Sequence, residues 1–425
     1  MALRSIARSF AHPNFRLFFS GQGLSLIGTQ VQIVALPWFV LRLTNSAHLV
    51  GWVAFAGQFP AVFASPIAGV IADRVNKRRL LLITQSLAMV QAALLAVLTF
   101  MNAIEVWHIL ALSIGLSLVN AFDLPTRQSL LTEMVGGKED LGNAIALNSA
   151  IFNATRLIGP TVAALLIAAI GEGGCFLVNA LSFLAVIVAL WAMRLPPRPL
   201  AVTNGSTWSG AIEGLRYTLR STPIVAVLLI TAIVSFLAVP YIVMLPVLVQ
   251  RVYHGDAWLN GFLFTAAGLG ALAGGLFLAS RHSVLGMLKH LWLLPICTAA
   301  GLLAMSWTDS PWVAAPLIFL IGLTIVMLLT SCNMTLQSIV ADHMRARVLS
   351  IYALIFLGMS PLGSLLAGWL AEETGVSLTL RLFGASLGVG AIAFAATFAR
   401  PLYRQAKAQF GGACVRAAKA TAEAA

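Results

Sequence analysis

Apolar runs close to twenty residues long recur along the whole of this chain, separated by short charged or Gly/Pro-rich stretches. An α-helix of about twenty residues is what it takes to cross the roughly 30 Å hydrocarbon core of a bilayer. In lipid every backbone N–H and C=O must be satisfied within the segment, so each run is expected to be a helix. Twelve runs can be marked, near 15–43, 47–72, 80–101, 106–122, 143–170 and 174–193, then 223–250, 258–280, 289–307, 311–337, 348–370 and 380–399. The expected fold class is all-α integral membrane, with twelve transmembrane helices. Composition agrees, because 60% hydrophobic and 9% charged residues leave too little charge to cover a soluble protein of 425 residues.

Charge placement orients the spans. Segments on the side of the N-terminus hold 22 of the 26 Lys and Arg, whereas the opposite side holds only Arg42, Arg251 and Arg381 against six acids. The positive-inside bias then puts both termini in the cytoplasm. The net charge of +12 is spread over these loops without aromatic-interleaved basic runs, so no nucleic-acid partner is expected. Its densest point is Gly69-Val70-Ile71-Ala72-Asp73-Arg74-Val75-Asn76-Lys77-Arg78-Arg79, a short basic loop between two spans that points to a cytoplasmic hinge. The first run is too long for a signal-peptide core and no small-residue cleavage site follows it, so it reads as a retained span.

Residues 194–222 form the longest internal linker, opening with Pro196-Pro197-Arg198-Pro199 and Asn204-Gly205-Ser206. It divides the spans into residues 1–193 and 223–400, six each, and 401–425 form a polar, alanine-rich cytoplasmic tail. Within the linker, Trp208, Ile212, Leu215 and Leu219 share one face of an amphipathic helix expected along the inner membrane surface. The halves echo each other weakly: Gln128-Ser129-Leu130-Leu131 parallels Gln337-Ser338-Ile339-Val340, and each copy leads to a Gly/Pro cluster. Such repeats are typical of secondary transporters.

Catalytic and cofactor chemistry finds no support. Gly136-Gly137-Lys138 lacks the leading glycine of a phosphate-binding loop. Gly268-Leu269-Gly270-Ala271-Leu272-Ala273 imitates a dinucleotide fingerprint inside an apolar run, where close helix packing through Gly270 and Gly274 is the better reading. Cys175, Cys297, Cys332 and Cys414 show neither metal spacing nor a disulfide framework, and the seven histidines form no metal motif. No cofactor, no metal and no enzyme activity are expected.

Polar groups inside the runs are the candidate site. Gln22, Ser25, Thr29 and Gln32 recur at helical spacing in the first run, Ser113, Ser117 and Asn120 in the fourth, and Thr324, Ser331 and Thr335 in the tenth. Unpaired polar groups facing hydrocarbon cost several kcal/mol, so these stripes face other helices or a watery cavity. In the fifth run Ser149, Asn153, Arg156 and Pro160 lie on one face with Gly159 beside them. A mid-span arginine costs about 3 kcal/mol or more, so Arg156 either contacts substrate or a gate, or pins neighbouring helices through carbonyls. Gly159-Pro160 weakens the helix just beyond it.

These residues resemble a known family. The stretch from Gly69 through Asp73-Arg74 to Lys77-Arg78-Arg79 is similar to the cytoplasmic signature of the major facilitator superfamily. Asn153-Ala154-Thr155-Arg156-Leu157-Ile158-Gly159-Pro160 and the segment from Ala341-Asp342-His343-Met344-Arg345 to Gly358-Met359-Ser360-Pro361-Leu362-Gly363-Ser364 resemble the branch that contains the enterobactin exporter and the macrolide-efflux proteins. Asn14-Phe15-Arg16-Leu17-Phe18 and Ala35-Leu36-Pro37-Trp38 are similar too.

The resemblance implies two six-helix bundles rocking about a central cavity. It makes Gly69, Asp73, Arg74, Lys77, Arg78 and Asp123 gating residues, with Asp73 capping a neighbouring helix and Lys77 as its basic partner. Asp123, at the inner end of the fourth helix, is the relay acid. Gly159-Pro160 looks like the antiporter motif, which implies export.

Asn76 stands where the signature has glycine, a place Asn can fill by adopting the left-handed conformation. No Asp or Glu lies at the centre of a span, so proton antiport follows from the resemblance alone. The expectation is a monomeric bacterial inner-membrane exporter of a small amphipathic compound. Its substrate is a siderophore first and a macrolide-like drug second; an importer or a non-transporting sensor are the rivals. Gln22, Thr29, Gln32, Asn120, Asn153, Arg156, Thr324 and Ser331 are expected to line the substrate cavity.

Overall fold

The computed structural model describes residues 8–135, 138–194, 207–280 and 291–398, apart from the side chains of residues 73, 138, 139 and 207–211. The Pro196–Pro199 stretch, the tail from 401, Cys414, and the side chains of Asp73 and Trp208 therefore lie outside the described residues.

Every described element is helical. They are α1 (Pro13–Thr44), α2 (Ala47–Ala56), α3 (Phe59–Arg74), α4 (Lys77–Phe100), α5 (Val106–Met134), α6 (Lys138–Ala192) and α7 (Thr207–Arg220). They continue as α8 (Thr222–Leu237), α9 (Tyr241–Arg251), α10 (Ala257–Ala279), α11 (Leu293–Met305), α12 (Pro311–Ile339), α13 (Asp342–Thr374) and α14 (Val376–Phe398). Among the described residues ten helices are long and apolar enough to span a bilayer, with α2–α3 and α8–α9 each counted as one. This is an all-α, multi-pass membrane protein.

Local chemistry sets the ends. Proline at the first turn of α1 gives up no helical hydrogen bond, and Asn45 closes that helix in the left-handed conformation at φ 51°, donating its N–H to Leu41 O at 2.7 Å. Ser46 caps α2, its hydroxyl accepting the Leu49 N–H. α6 runs 55 residues with a single break at Gly171, where φ 70° and ψ 178° suit glycine alone, so it comprises the fifth and sixth apolar runs.

α4 shows how lipid replaces water as the solvent. Ile83, Leu87, Val90, Leu94 and Val97 are 45–57% exposed along one stripe, while Leu81, Ala88, Ala92 and Leu95 on the other side are buried. A soluble helix would have the opposite pattern outside.

The chain resolves into two compact units. One holds Met1–Asn204, Ile242–Thr265 and Ser364–Glu373; the other holds Gly205–Tyr241, Ala266–Gly363 and Thr374–Ala425. In the first unit Phe15 and Phe18 of α1 pack with Leu81 of α4, Leu130 of α5 and Val186 and Leu190 of α6. In the second, α10 and α12 meet through glycine, as expected: a Cβ on Gly274 would stand 2.6 Å from Leu323 O, and one on Gly270 would overlap Phe319 O.

Three expectations are corrected. α5 does not end near 122 but continues to Met134, so Asp123 lies well inside it; burial of Leu130, Leu131 and Met134 in the core holds the mixed-polarity last turns helical. Asn76 is not left-handed. It sits at φ −65° and caps α4, accepting the Arg79 N–H at 3.0 Å, which makes it an N-cap. The second and seventh runs are each broken, at Gly57–Gln58 and at residues 238–240.

Candidate functional site

The polar stripe of α1 faces protein. Gln22, Ser25 and Gln32 are at most 4% exposed, and Thr29 is half-buried with its hydroxyl on Ser25 O at 2.9 Å. Gln32 donates to Gln91 Oε1 of α4 at 3.2 Å and accepts from Asn179 Nδ2 of α6 at 2.7 Å. Ser182 in turn donates to Asn179 Oδ1 at 3.3 Å. A buried amide relay thus joins three helices. Gln91 Nε2 has no hydrogen-bond partner among the described residues, so the relay is incomplete at its α4 edge; Gln22 Oε1, elsewhere on α1, has none either.

On α6 the pattern reverses. Asn153 and Arg156 are exposed, with Asn153 Nδ2 donating to Ser149 O at 2.9 Å. Arg156 makes no hydrogen bond or ion pair with any described residue. A guanidinium left free in the middle of a 33-residue helical half is costly unless it faces water or an anion. Asn120 of α5 is exposed as well. Thr324 and Ser331 of α12 are buried, and Thr324 accepts the Thr298 hydroxyl of α11 at 2.8 Å. The structure thus separates the predicted cavity residues into buried packing amides and hydroxyls on one hand, and an exposed Asn120, Asn153 and Arg156 on the other.

Just beyond Arg156, Gly159 and Pro160 are buried. A Cβ on Gly159 would collide with the Gln30 side chain of α1, and Pro160 O lies 2.8 Å from where a Gly261 Cβ would be. Next to Pro160, Thr161 shares a hydrogen bond of 2.9 Å with Thr265, one turn on from Gly261. Proline removes the N–H that would have reached the Arg156 carbonyl, and the close approach of α1 and α10 supports the helix there.

At the end of the first unit that carries the N-terminus, Asp123 is 2% exposed and ringed by donors. Arg127, one turn along, forms its ion pair; Gln85 Nε2 donates at 2.7 Å and Thr84 Oγ1 at 3.0 Å. Lys77 Nζ pairs with Glu133 Oε1 at 2.7 Å. Arg78 donates to the carbonyls of Leu190 and Trp191 at 2.6 Å each, clasping the end of α6. Arg74 is exposed, and Gly69 has open space where a Cβ would go. Charge on this loop is thus spent on neighbouring helix ends, partners that spacing alone did not name.

The opposite end carries two further ion pairs. Glu172, buried beside the Gly171 break, meets Arg42 at 2.7 Å. Glu372 Oε2 accepts from Arg251 at 3.0 Å and from the Ala47 N–H at 2.8 Å, while Arg251 also reaches Asn45 O at 2.5 Å. Arg127 was detectable from its i, i+4 spacing to Asp123. The pairs 77–133, 42–172 and 251–372 leave no trace in local sequence. Among the described residues no three His, Cys, Asp or Glu side chains are placed to hold a metal ion.

Comparison with known proteins agrees with this architecture. A family model described as transmembrane secretion effector matches residues 5–410. The staphyloferrin A transporter of Staphylococcus aureus is 29% identical over 374 residues, 87% of this chain and 93% of that protein. The multidrug efflux pump Tap of Mycolicibacterium fortuitum is 27% identical over 364 residues, 83% of this chain and 88% of that one. Macrolide efflux protein A of Streptococcus pyogenes is 20% identical over 377 residues, 87% and 92% of the two chains. Among solved structures, an inward-facing, occupied bacterial homologue of the lysosomal transporter Spinster shares the fold, with a TM-score of 0.71 at 15% identity, covering 95% of this chain and 97% of that one. The nucleoside transporter NupG does likewise at 0.69 and 14%, covering 91% and 99%.

Proposed function

As this chain belongs to the transmembrane secretion effector family of the major facilitator superfamily, and so is a transporter and not an enzyme, we propose that it exports a small amphipathic compound from the cytoplasm by alternating access. Proton antiport supplies the driving force, and an anionic siderophore is the substrate. The working unit is a monomer in the bacterial inner membrane with both termini cytoplasmic, its twelve spans forming bundles at 1–193 and 223–400. Support for the count comes from the break at Gly171, which makes two spans of α6, and from α11 as the short visible part of the ninth run. Support for the orientation comes from the distribution of Lys and Arg.

One observation carries the substrate reading. Arg156 is a mid-helix guanidinium, exposed, without a partner among the described residues, on the same face as Asn153. A planar cation with five donors is suited to a carboxylate or catecholate. The staphyloferrin A transporter among the relatives fits a siderophore, whereas the multidrug and macrolide efflux relatives fit an uncharged or cationic drug, the second reading.

Everted membrane vesicles decide between them. With an imposed proton gradient, uptake of a carboxylate or catecholate siderophore should be lost in Arg156→Ala, only partly kept in Arg156→Lys, which retains the charge but not the planar fork, and unaccompanied by any fall in membrane protein level. Macrolide uptake that is indifferent to Arg156→Ala would instead favour the drug reading. Equal loss of folded protein would make Arg156 a packing residue and remove the support for an anionic substrate.

A further inference from the structure

α7 is tied to the protein on one flank and open on the other. Glu213 Oε2 pairs with Arg347 Nη1 of α13 at 2.6 Å. The backbone N–H of Ala341, at the head of α13, donates to the Tyr217 hydroxyl at 3.4 Å. Gly214 is buried with room for nothing larger, since its Cβ would stand 2.9 Å from Arg347 Cβ, and Thr218 is buried beside it. These four residues mark the protein-facing side.

Among the described residues, the side chains on the opposite face have no protein partner. Ile212, Leu215 and Leu219, at i, i+3 and i+7, are 48%, 49% and 67% exposed. Arg216 and Arg220 are exposed along the border of that strip, and the acid described on this helix, Glu213, beside them, is already paired with Arg347. Two residues past Arg220, the chain enters α8 at Thr222, the start of a span of high hydropathy. The strip is therefore held where the polypeptide passes into lipid.

We propose that α7 is an in-plane docking helix for an anionic leaflet: Ile212, Leu215 and Leu219 enter the acyl boundary, and Arg216 and Arg220 hold phosphate-bearing headgroups. Exposed apolar side chains at that depth exchange water for acyl chains, while long arginine stems let the guanidinium rise to the headgroups. Basic residues near an anionic surface contribute roughly 1 kcal/mol each, about fivefold in local lipid enrichment, so the pair gives about 25-fold at low salt. The Glu213–Arg347 pair then fastens this lipid-held helix to α13.

The test uses the full chain in phosphatidylcholine vesicles, with Leu215→Cys carrying a bimane and Cys297 and Cys414 replaced by serine. Quenching is compared between trace phosphatidylglycerol and trace phosphatidylcholine, each with a headgroup nitroxide. The expected result is quenching by both, with a large excess for phosphatidylglycerol. Arg216→Gln/Arg220→Gln should remove that excess and leave the phosphatidylcholine signal unchanged. About 0.5 M salt should reduce it in the parent protein, since screening then acts within a few ångströms. Equal quenching by the two lipids in the parent protein, an excess that survives in the double variant, or no quenching by either lipid would each overturn the proposal. Should the double variant fail to fold, the salt response of the parent protein decides: an excess that ignores salt refutes the headgroup contact.

Discussion

Lys77 Nζ stands 2.7 Å from Glu133 Oε1, joining the first turn of α4 to the last turn of α5 across 56 residues of sequence. Both side chains are about one-fifth exposed, so the pair is neither a free surface contact nor a fully desolvated one. A coupling energy of about 1–2 kcal/mol is expected from a double-mutant cycle of Lys77→Met and Glu133→Gln, measured by denaturant unfolding in detergent. The charge-swapped double variant, Lys77→Glu with Glu133→Lys, should recover part of what either single change loses. Additive losses would mean that the two residues act separately.

Asp123 is a more demanding case because its neighbours were chosen for a carboxylate. Arg127, Gln85 and Thr84 all direct donors at it inside a buried site. Asp123→Ala leaves the Arg127 guanidinium, 19% exposed, without its anion, which costs about 2–3 kcal/mol, less than for a fully buried charge. Replacing Thr84 by Val removes one hydroxyl donor and should cost only about 1 kcal/mol. Substrate affinity should be nearly unchanged in any Asp123 variant that still folds, since the residue is sealed from the Asn153–Arg156 face; the checks are equilibrium binding alongside thermal unfolding. An affinity loss as large as the stability loss would place Asp123 in the binding site.

For the Gln32 relay, stability and transport should part company. Gln32→Leu keeps the volume of the side chain while removing its hydrogen bonds to Gln91 and Asn179. Hydrogen bonds between membrane helices average well under 2 kcal/mol, so a loss of about 1–2 kcal/mol in unfolding free energy is expected. KM for export should hold within about twofold. A tenfold rise in KM with stability intact would restore Gln32 to the cavity lining.

Much of the fold was legible because bilayer thickness sets a length that apolar runs must match. The Gly171-Glu172-Gly173-Gly174 stretch was legible for a related reason: glycine is the residue for a break at φ 70°. The sequence was less informative wherever tertiary contacts overrode local preference. The last turns of α5 hold Thr132 and Glu133 among apolar residues, and packing of Leu130, Leu131 and Met134 with Phe15, Leu81 and Leu190 keeps those turns helical. Periodicity located the stripe of Gln22, Ser25 and Gln32 yet could not say what it faced, because Gln91 and Asn179 lie 59 and 147 residues away from Gln32. Arg156 was legible as an anomaly, since a mid-span cation is rare whatever surrounds it.

The tie at Glu372 joins three chain segments through one oxygen. That oxygen accepts from Arg251 at the end of α9 and from the N–H of Ala47 at the head of α2, where the helix dipole also favours an anion. Arg251 completes the knot through Asn45 O. Below it α2 and α13 touch at glycine: a Cβ on Gly368 would stand 2.7 Å from Ala47 O, and Gly51 Cα lies 2.9 Å from the same point. Two unlike perturbations should therefore have one effect. Glu372→Ala deletes the shared acceptor; with both partners about one-third exposed, the loss is about 1 kcal/mol, or about fivefold in an opening equilibrium. Gly368→Ala keeps every hydrogen-bonding group and wedges the helices apart, because its neighbours are backbone atoms that cannot swing aside. Both should raise the rate at which a water-soluble maleimide labels Val50→Cys, a position only 1% exposed on α2. If Glu372→Ala raises it and Gly368→Ala does not, the ion pair acts alone and the glycine contact is passive. If neither does, other contacts keep Val50 from the reagent, and the Glu372 tie has no part in exposing it.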